Sequence, residues 1–232
     1  MKQRLLLLPG MDGTGSLFAD FVKAISDTFE TEIVSYPPDV CLTYSELMHL
    51  VRKSIPKSEQ FVLVAESFST PLAIQYAAMN PPNLKGLVLC AGFATSPVHG
   101  WLRFIGSFLA PILFGVAIPK SVTKLLLVGS TAPPSLLTAV QAAVSSVQPK
   151  VLLARFRAVL DCDALAELTQ VAIPILYLRA TQDRLVPASC LEEILRIKPQ
   201  TVAAGIDGPH LLFQREPLQI AEVVARFVQQ IL

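Results

Sequence analysis

A serine hydroxyl attacks carbonyl carbon at neutral pH only when a base sits beside it, and that base works best when a carboxylate orients it. The segment Phe61-Val62-Leu63-Val64-Ala65-Glu66-Ser67-Phe68-Ser69-Thr70-Pro71 offers a setting for such a serine. A buried apolar strand runs into a tight turn, and a helix follows at once. A nucleophile in that turn needs small residues two positions before and two after it, because strand and helix approach closely there. The usual pattern is Gly-x-Ser-x-Gly; here it is Ala65-x-Ser67-x-Ser69. Taken alone, the segment also fits a serine that merely caps the next helix.

The base must come from three histidines. His49 falls inside a helix beside Leu47 and Leu50, a place for packing or solvent. His99, in Pro97-Val98-His99-Gly100, suits a lid contact. His210 lies in Asp207-Gly208-Pro209-His210, a loop after the last strand, from which a ring can reach back over the carboxyl ends of the strands. The acid is expected on the loop after the penultimate strand, where Asp183 stands in Ala180-Thr181-Gln182-Asp183-Arg184-Leu185. Its bland alternatives are a turn aspartate or a pair with Arg184. Asp161 and Asp163 are fallback acids that read better as helix caps. The chain order is thus Ser67, Asp183, His210.

Attack on a carbonyl puts negative charge on oxygen, which two backbone N–H groups can bind. Phe68, directly after the serine, supplies one. The loop Leu8-Pro9-Gly10-Met11-Asp12-Gly13-Thr14-Gly15 after the first strand supplies the other, with Met11 best placed and the glycines admitting close approach. Part of a phosphate-loop spacing is visible in Gly10-x-x-x-x-Gly15-Ser16, but no lysine follows Gly15, so nucleotide binding is disfavoured.

The elements that must position these residues alternate as in a parallel sheet with helices on both faces. Strands are expected at Arg4–Leu8, Glu32–Ser35, Phe61–Ala65, Gly86–Cys90, Pro174–Arg179 and Thr201–Ala204. Helices are expected at Ser16–Ser26, with Ser16 as N-cap, from Thr43 to about Lys53, and at Thr70–Ala78, Ser189–Ile197 and from Pro217 onward. Thr43-x-x-Glu46 is a capping box. From about 93 to 170 the patterning is helical and broken by prolines, which predicts a cap or lid inserted into a single domain spanning 1–232.

Of the 232 residues, 52% are hydrophobic and only 16% charged, with a net charge of +1. That balance shows no electrostatic footprint for nucleic acid, and it points to a large core or a greasy ligand. Trp101, Phe104, Phe108 and Phe114 suit either lid packing or contact with a hydrophobic substrate or lipid. The uncharged run Phe104–Ile118 is too short and too interrupted by Gly106, Pro111 and Gly115 to span a bilayer. Cys41, Cys90, Cys162 and Cys190 make no CxxC pair and read as small core residues in a reducing compartment. The short leucine run at the N-terminus lacks the features of a signal peptide, so a cytoplasmic location is expected.

With these residues in place, the chain resembles the α/β-hydrolase superfamily over essentially its whole length. The serine–acid–histidine order is that of the superfamily. The segments Leu8–Gly15, Ala65-Glu66-Ser67-Phe68-Ser69, Gly86-Leu87-Val88-Leu89-Cys90-Ala91 and Gly208-Pro209-His210-Leu211-Leu212 are similar to a compact bacterial branch of carboxylesterase-like hydrolases. The first also resembles the opening of plastid acyltransferases that esterify phytol. The resemblance implies about six mostly parallel strands, with the family's two leading antiparallel strands missing. It implies triad roles for Ser67, Asp183 and His210, oxyanion roles for Met11 and Phe68, and no metal or organic cofactor. The expected reaction is hydrolysis of a carboxylic ester with a hydrophobic or small acyl group. An acyltransferase or thioesterase on the same triad is the alternative. A binding protein that keeps the scaffold without turnover and a membrane-embedded protein are the readings from other classes.

Overall fold

A computed structural model describes residues 2–56, 59–98 and 120–232. Six strands, β1 (Gln3–Leu8), β2 (Phe29–Ile33), β3 (Phe61–Glu66), β4 (Leu84–Cys90), β5 (Ile175–Ala180) and β6 (Val202–Ile206), form one sheet in the order β2-β1-β3-β4-β5-β6. Every pairing between them is parallel. The helices are α1 (Ala19–Ile25), α2 (Tyr44–Ser54), α3 (Thr70–Ala77), α4 (Lys120–Thr123), α5 (Pro134–Ser145), α6 (Pro149–Asp161), α7 (Leu165–Gln170), α8 (Ala188–Ile197), α9 (Leu212–Arg215) and α10 (Pro217–Ile231).

The unbroken apolar runs are what a sheet covered on both faces requires, because side chains alternate between faces along each strand. Leu6, Leu8, Leu63, Ala65, Leu87 and Leu89 enter one core with α2, α3 and α8, while Leu5, Leu7, Val62, Val64, Val88 and Cys90 enter a second with α1 and α10. On the second face Phe213 of α9 meets Phe18 and Phe21 edge-on, with ring centroids 5.2 and 4.7 Å apart. This aromatic cluster braces the short helix that immediately follows His210.

Between β4 and β5 the described chain forms no strand, only an isolated antiparallel bridge between Thr95 and Asp163. Ala164 N–H donates to Ala94 O (2.9 Å) and Ser96 N–H to Cys162 O (3.2 Å), so the excursion leaves and returns at one neck. A single π turn, Lys124–Val128, follows α4. The expectations on His99, Trp101, Phe104, Phe108, Phe114 and the run Phe104–Ile118 lie outside the described residues. Among those described, no single helix is long and apolar enough to cross a membrane; α5 and α6, the one adjacent pair that passes together, are bent by 95°.

Local corrections have identifiable causes. The helix expected to begin with a Ser16 cap begins instead as a 3₁₀ turn, Ser16–Phe18, with Gly15 (φ 73°) at the cap position. The Ser16 N–H is taken by the Thr14 hydroxyl (3.2 Å). Strand β2 lies upstream of the expected Glu32–Ser35, because its polar residues are useful at a sheet edge: Glu30 and Glu32 flank Arg4 of β1 at 3.2 and 3.7 Å. Cys41 is exposed rather than in a core, whereas Cys90 and Cys190 are buried. The Thr43–Glu46 capping box is present in both directions.

Phe213 is fully buried, so its truncation leaves a cavity that the flanking rings cannot close. Phe213→Ala is expected to cost about 3–5 kcal/mol and Phe213→Leu less than about 2, read from the midpoint of urea unfolding at constant slope.

Candidate active site

Strand order reverses direction between β1 and β3, and in open α/β sheets such a switch point opens a crevice at the carboxyl ends of the strands. Ser67 stands at that place. It directly follows β3 with φ 47°, a left-handed conformation that a residue with a Cβ adopts at a cost. Its neighbours hold it there. The Thr70 hydroxyl donates to Ser67 O (2.8 Å) and accepts from Phe93 N–H (3.0 Å). A Cβ at Gly92 would lie 2.6 Å from Thr70 Cγ2, so the bare backbone lets Thr70 in. Ser69 takes the place of the second usual glycine and is fully buried. Its hydroxyl donates to Pro9 O, which leaves the Tyr36 hydroxyl to donate to Ser69 Oγ (2.7 Å). The serine turn is thereby tied to the loop after β1.

His210 Nε2 lies 2.9 Å from Ser67 Oγ, and His210 Nδ1 lies 2.8 Å from Asp183 Oδ2. The imidazole and carboxylate side chains are only 5% and 4% exposed. Asp183 Oδ1 accepts the backbone N–H groups of Leu185 (2.8 Å) and Val186 (3.0 Å), so the carboxylate is fully occupied and cannot swing. No ion pair joins it to Arg184 among the described residues. The loops carrying Asp183 and His210 are also joined to each other. Thr181 and Gln182 side chains both donate to Asp207 Oδ1 (2.9 and 2.8 Å), and Gln182 N–H donates to Gly208 O (2.9 Å). Those side-chain bonds hold the Asp207 carboxyl below its ordinary range.

The loop Pro9–Gly15 lies alongside the serine turn because Leu8 pairs with Ala65. Gly13 N–H donates to Gly10 O (3.0 Å), closing a tight turn around Met11 and Asp12. On the other side, the Tyr44 hydroxyl donates to Phe68 O (2.8 Å), and its ring stacks on that of Phe68 at 5.0 Å. Met11 and Phe68, the expected oxyanion donors, thus belong to two fixed stretches of backbone at the same crevice.

Glu66, the variable residue of the serine pattern, is 2% exposed. Its Oε1 has no hydrogen-bond partner among the described residues, and Oε2 receives a long contact from Gln214 Nε2 (3.5 Å), with the Gly10 backbone N–H also directed at the carboxyl. Burial pushes this carboxyl up to about 7, with His210 opposing the shift and Asp12 adding to it. Asp12 is raised as well, by burial.

Of the residues singled out from sequence, the structure brings Ser67, Asp183 and His210 together. His49 is exposed on α2. Asp163 precedes the Ala164 cap position of α7 and accepts from the Leu165 N–H (3.1 Å). Sequence reasoning missed Glu66, Tyr36, Tyr44, Gln214 and Arg155, and read Ser69 only as a small residue. Ser69 was visible as a polar residue where glycine is usual; the others carried no such signal. No group of three or more His, Cys, Asp or Glu among the described residues is placed to hold a metal.

No family model matches this chain, and no curated protein matches it. Solved structures do. A bromoperoxidase from Bacillus anthracis aligns at TM-score 0.84 and 14% identity, covering 99% of this chain and 92% of that one. A carboxylesterase structure from the thaumarchaeon Nitrososphaera gargenis aligns at TM-score 0.83 and 11% identity, covering 99% and 91%. A thermophilic esterase from Thermogutta terrifontis aligns at TM-score 0.81 and 17% identity, covering 100% and 91%. At such identities the shared property is the fold, along nearly the full length of each chain.

The raised Glu66 carboxyl has a consequence for stability. An unfolded chain releases this proton near 4.5, whereas the folded protein keeps it to about 7. The folded state therefore loses stability as pH rises through that window, and the loss is complete above it. Glu66→Gln removes the titrating group. Its stability relative to wild type is expected to rise by about 3 kcal/mol between about pH 4.5 and pH 7 and then level off. A difference that does not vary with pH in urea unfolding would contradict this.

Proposed function

We propose that this chain, which has the α/β-hydrolase fold, is a serine hydrolase that cleaves a carboxylic ester through an acyl-enzyme on Ser67. One observation carries the reading: an unbroken relay from Asp183 through His210 to Ser67, with contacts of 2.8 and 2.9 Å, at the carboxyl rim of one sheet. The esterase names among the fold's neighbours support the same reaction class.

The relay fixes the direction of proton transfer. Asp183 accepts hydrogen bonds through both oxygens, so in this mechanism His210 carries its hydrogen on Nδ1 and offers the Nε2 lone pair to the serine hydroxyl. Ser67 Oγ attacks the ester carbonyl as His210 takes its proton. Asp183 stabilises the imidazolium, and the Met11 and Phe68 N–H groups receive the oxyanion. The tetrahedral intermediate expels the alcohol with the proton from His210. Water then enters, loses a proton to His210 and attacks the acyl carbon; the acyl C–Oγ bond breaks, His210 returns its proton to Ser67 Oγ, and the acid leaves. No step requires a metal or organic cofactor. The apolar character of the chain between β4 and β5 supports a substrate with a hydrophobic or small acyl group.

A panel of p-nitrophenyl esters of increasing chain length tests the reading on wild type, Ser67→Ala and Asp183→Asn. Wild type is expected to turn over, with Ser67→Ala at background and Asp183→Asn lower by on the order of a thousand-fold or more in kcat. Equal rates in wild type and Ser67→Ala would remove Ser67 from the chemistry.

A further inference from the structure

Helix α6 belongs to the excursion between β4 and β5, yet it delivers a buried cation to the loop after β1. Arg155 is 2% exposed. Its Nη1 donates to Met11 O (2.9 Å) and Asp12 O (2.7 Å), and its Nη2 donates to Pro37 O (2.9 Å). The guanidinium carbon stands 5.7 Å over the Tyr36 ring, and Tyr36 in turn bonds Ser69 beside the nucleophile. Gly13, with φ 70°, makes room: a Cβ there would lie 2.5 Å from Arg155 Nη1. Below the guanidinium the same helix packs Val151 and Leu152 against the Met11 side chain.

We infer that Arg155 is a positioning residue for the oxyanion loop, contributed by a helix that lies outside the sheet's own βα repeat. The inference rests on the hydrolase reading given above. A peptide unit is planar and trans, so the Met11 N–H points opposite to the Gly10 carbonyl. That carbonyl is held inside the turn by Gly13 N–H (3.0 Å), which directs the Met11 N–H out of the turn. The next peptide is fixed by the bond from Arg155 to Met11 O. Both peptide planes flanking Met11 are therefore pinned, one by the turn and one by the guanidinium. Without Arg155, two neighbouring carbonyls in a glycine-rich loop lose their shared donor, and the second plane is free to rotate. A lysine keeps a charge but not the planar fork that reaches three carbonyls at once.

Arg155→Met and Arg155→Lys are measured on the same esters, with kcat expressed per Ser67 titrated by a fluorophosphonate, so that any unfolded fraction drops out. The expected result is a kcat about 100-fold lower in Arg155→Met, a smaller loss in Arg155→Lys, and KM within about two-fold of wild type. Affinity for a trifluoromethyl ketone, which forms an oxyanion on reaction with Ser67, should weaken in step with kcat. A role confined to stability would lower the titrated fraction and leave kcat per site unchanged, and that result would overturn the inference. A loss found wholly in KM would overturn it too. Wild type that neither labels at Ser67 nor turns over would sink the hydrolase reading itself. Wild type that does both, matched by the variants, would sink only the role of Arg155.

Discussion

The left-handed backbone at Ser67 is the constraint on which the site is built. A non-glycine residue held there costs on the order of 1–3 kcal/mol and persists only where its surroundings over-determine it. The bonds that do so form a compact set: Thr70 on the Ser67 carbonyl, Phe93 on Thr70, Ser69 on Pro9 and Tyr36 on Ser69. The strain lifts the hydroxyl out of the sheet's edge into the crevice, where the relay meets it. A relaxed, helical Ser67 would aim its side chain elsewhere and leave His210 Nε2 without the hydroxyl.

Two further supports reach this point from elements remote in the chain. On the His210 side, Leu211 N–H donates to Leu127 O (3.0 Å) and Arg215 to Val128 O (2.8 Å), binding the loop to the segment after α4. On the other side, Gln148 N–H donates to Pro38 O (2.8 Å), which seats the start of α6 beside the loop after β2. The excursion between β4 and β5 therefore touches the backbone on both flanks of the relay.

The sheet was legible because a doubly covered parallel strand has to be apolar on both sides, and β1, β3 and β4 are. Strand β2 was placed too far downstream because an edge strand is under no such demand; its Glu30 and Glu32 serve Arg4 instead. Ser67, Asp183 and His210 were legible from their order against the strands, since each loop position can face only one rim. Arg155 was not. Its neighbours in sequence are those of any amphipathic helix, and its partners are main-chain carbonyls, which carry no side-chain identity for a pattern to reveal. Glu66 was passed over for a similar reason: the position between Ala65 and Ser67 is free in the motif, and only its depth of burial gives it meaning. Ser69 stood out as a departure from glycine, but its tie to Pro9 and Tyr36 depends on loops that meet only in the folded chain.

The contacts that hold the serine turn all lie between Pro9 and Phe93, whereas the proposed acid and base, Asp183 and His210, come far later in the chain. A ribosome makes these parts in that order. The strained turn can be secured while the remainder of the polypeptide is still being assembled, and during that interval its hydroxyl has no imidazole to draw away the proton. Under the proposed mechanism, the growing chain thus carries a finished but silent nucleophile, and reactivity begins when the last strand and the loop beyond it have been threaded into place.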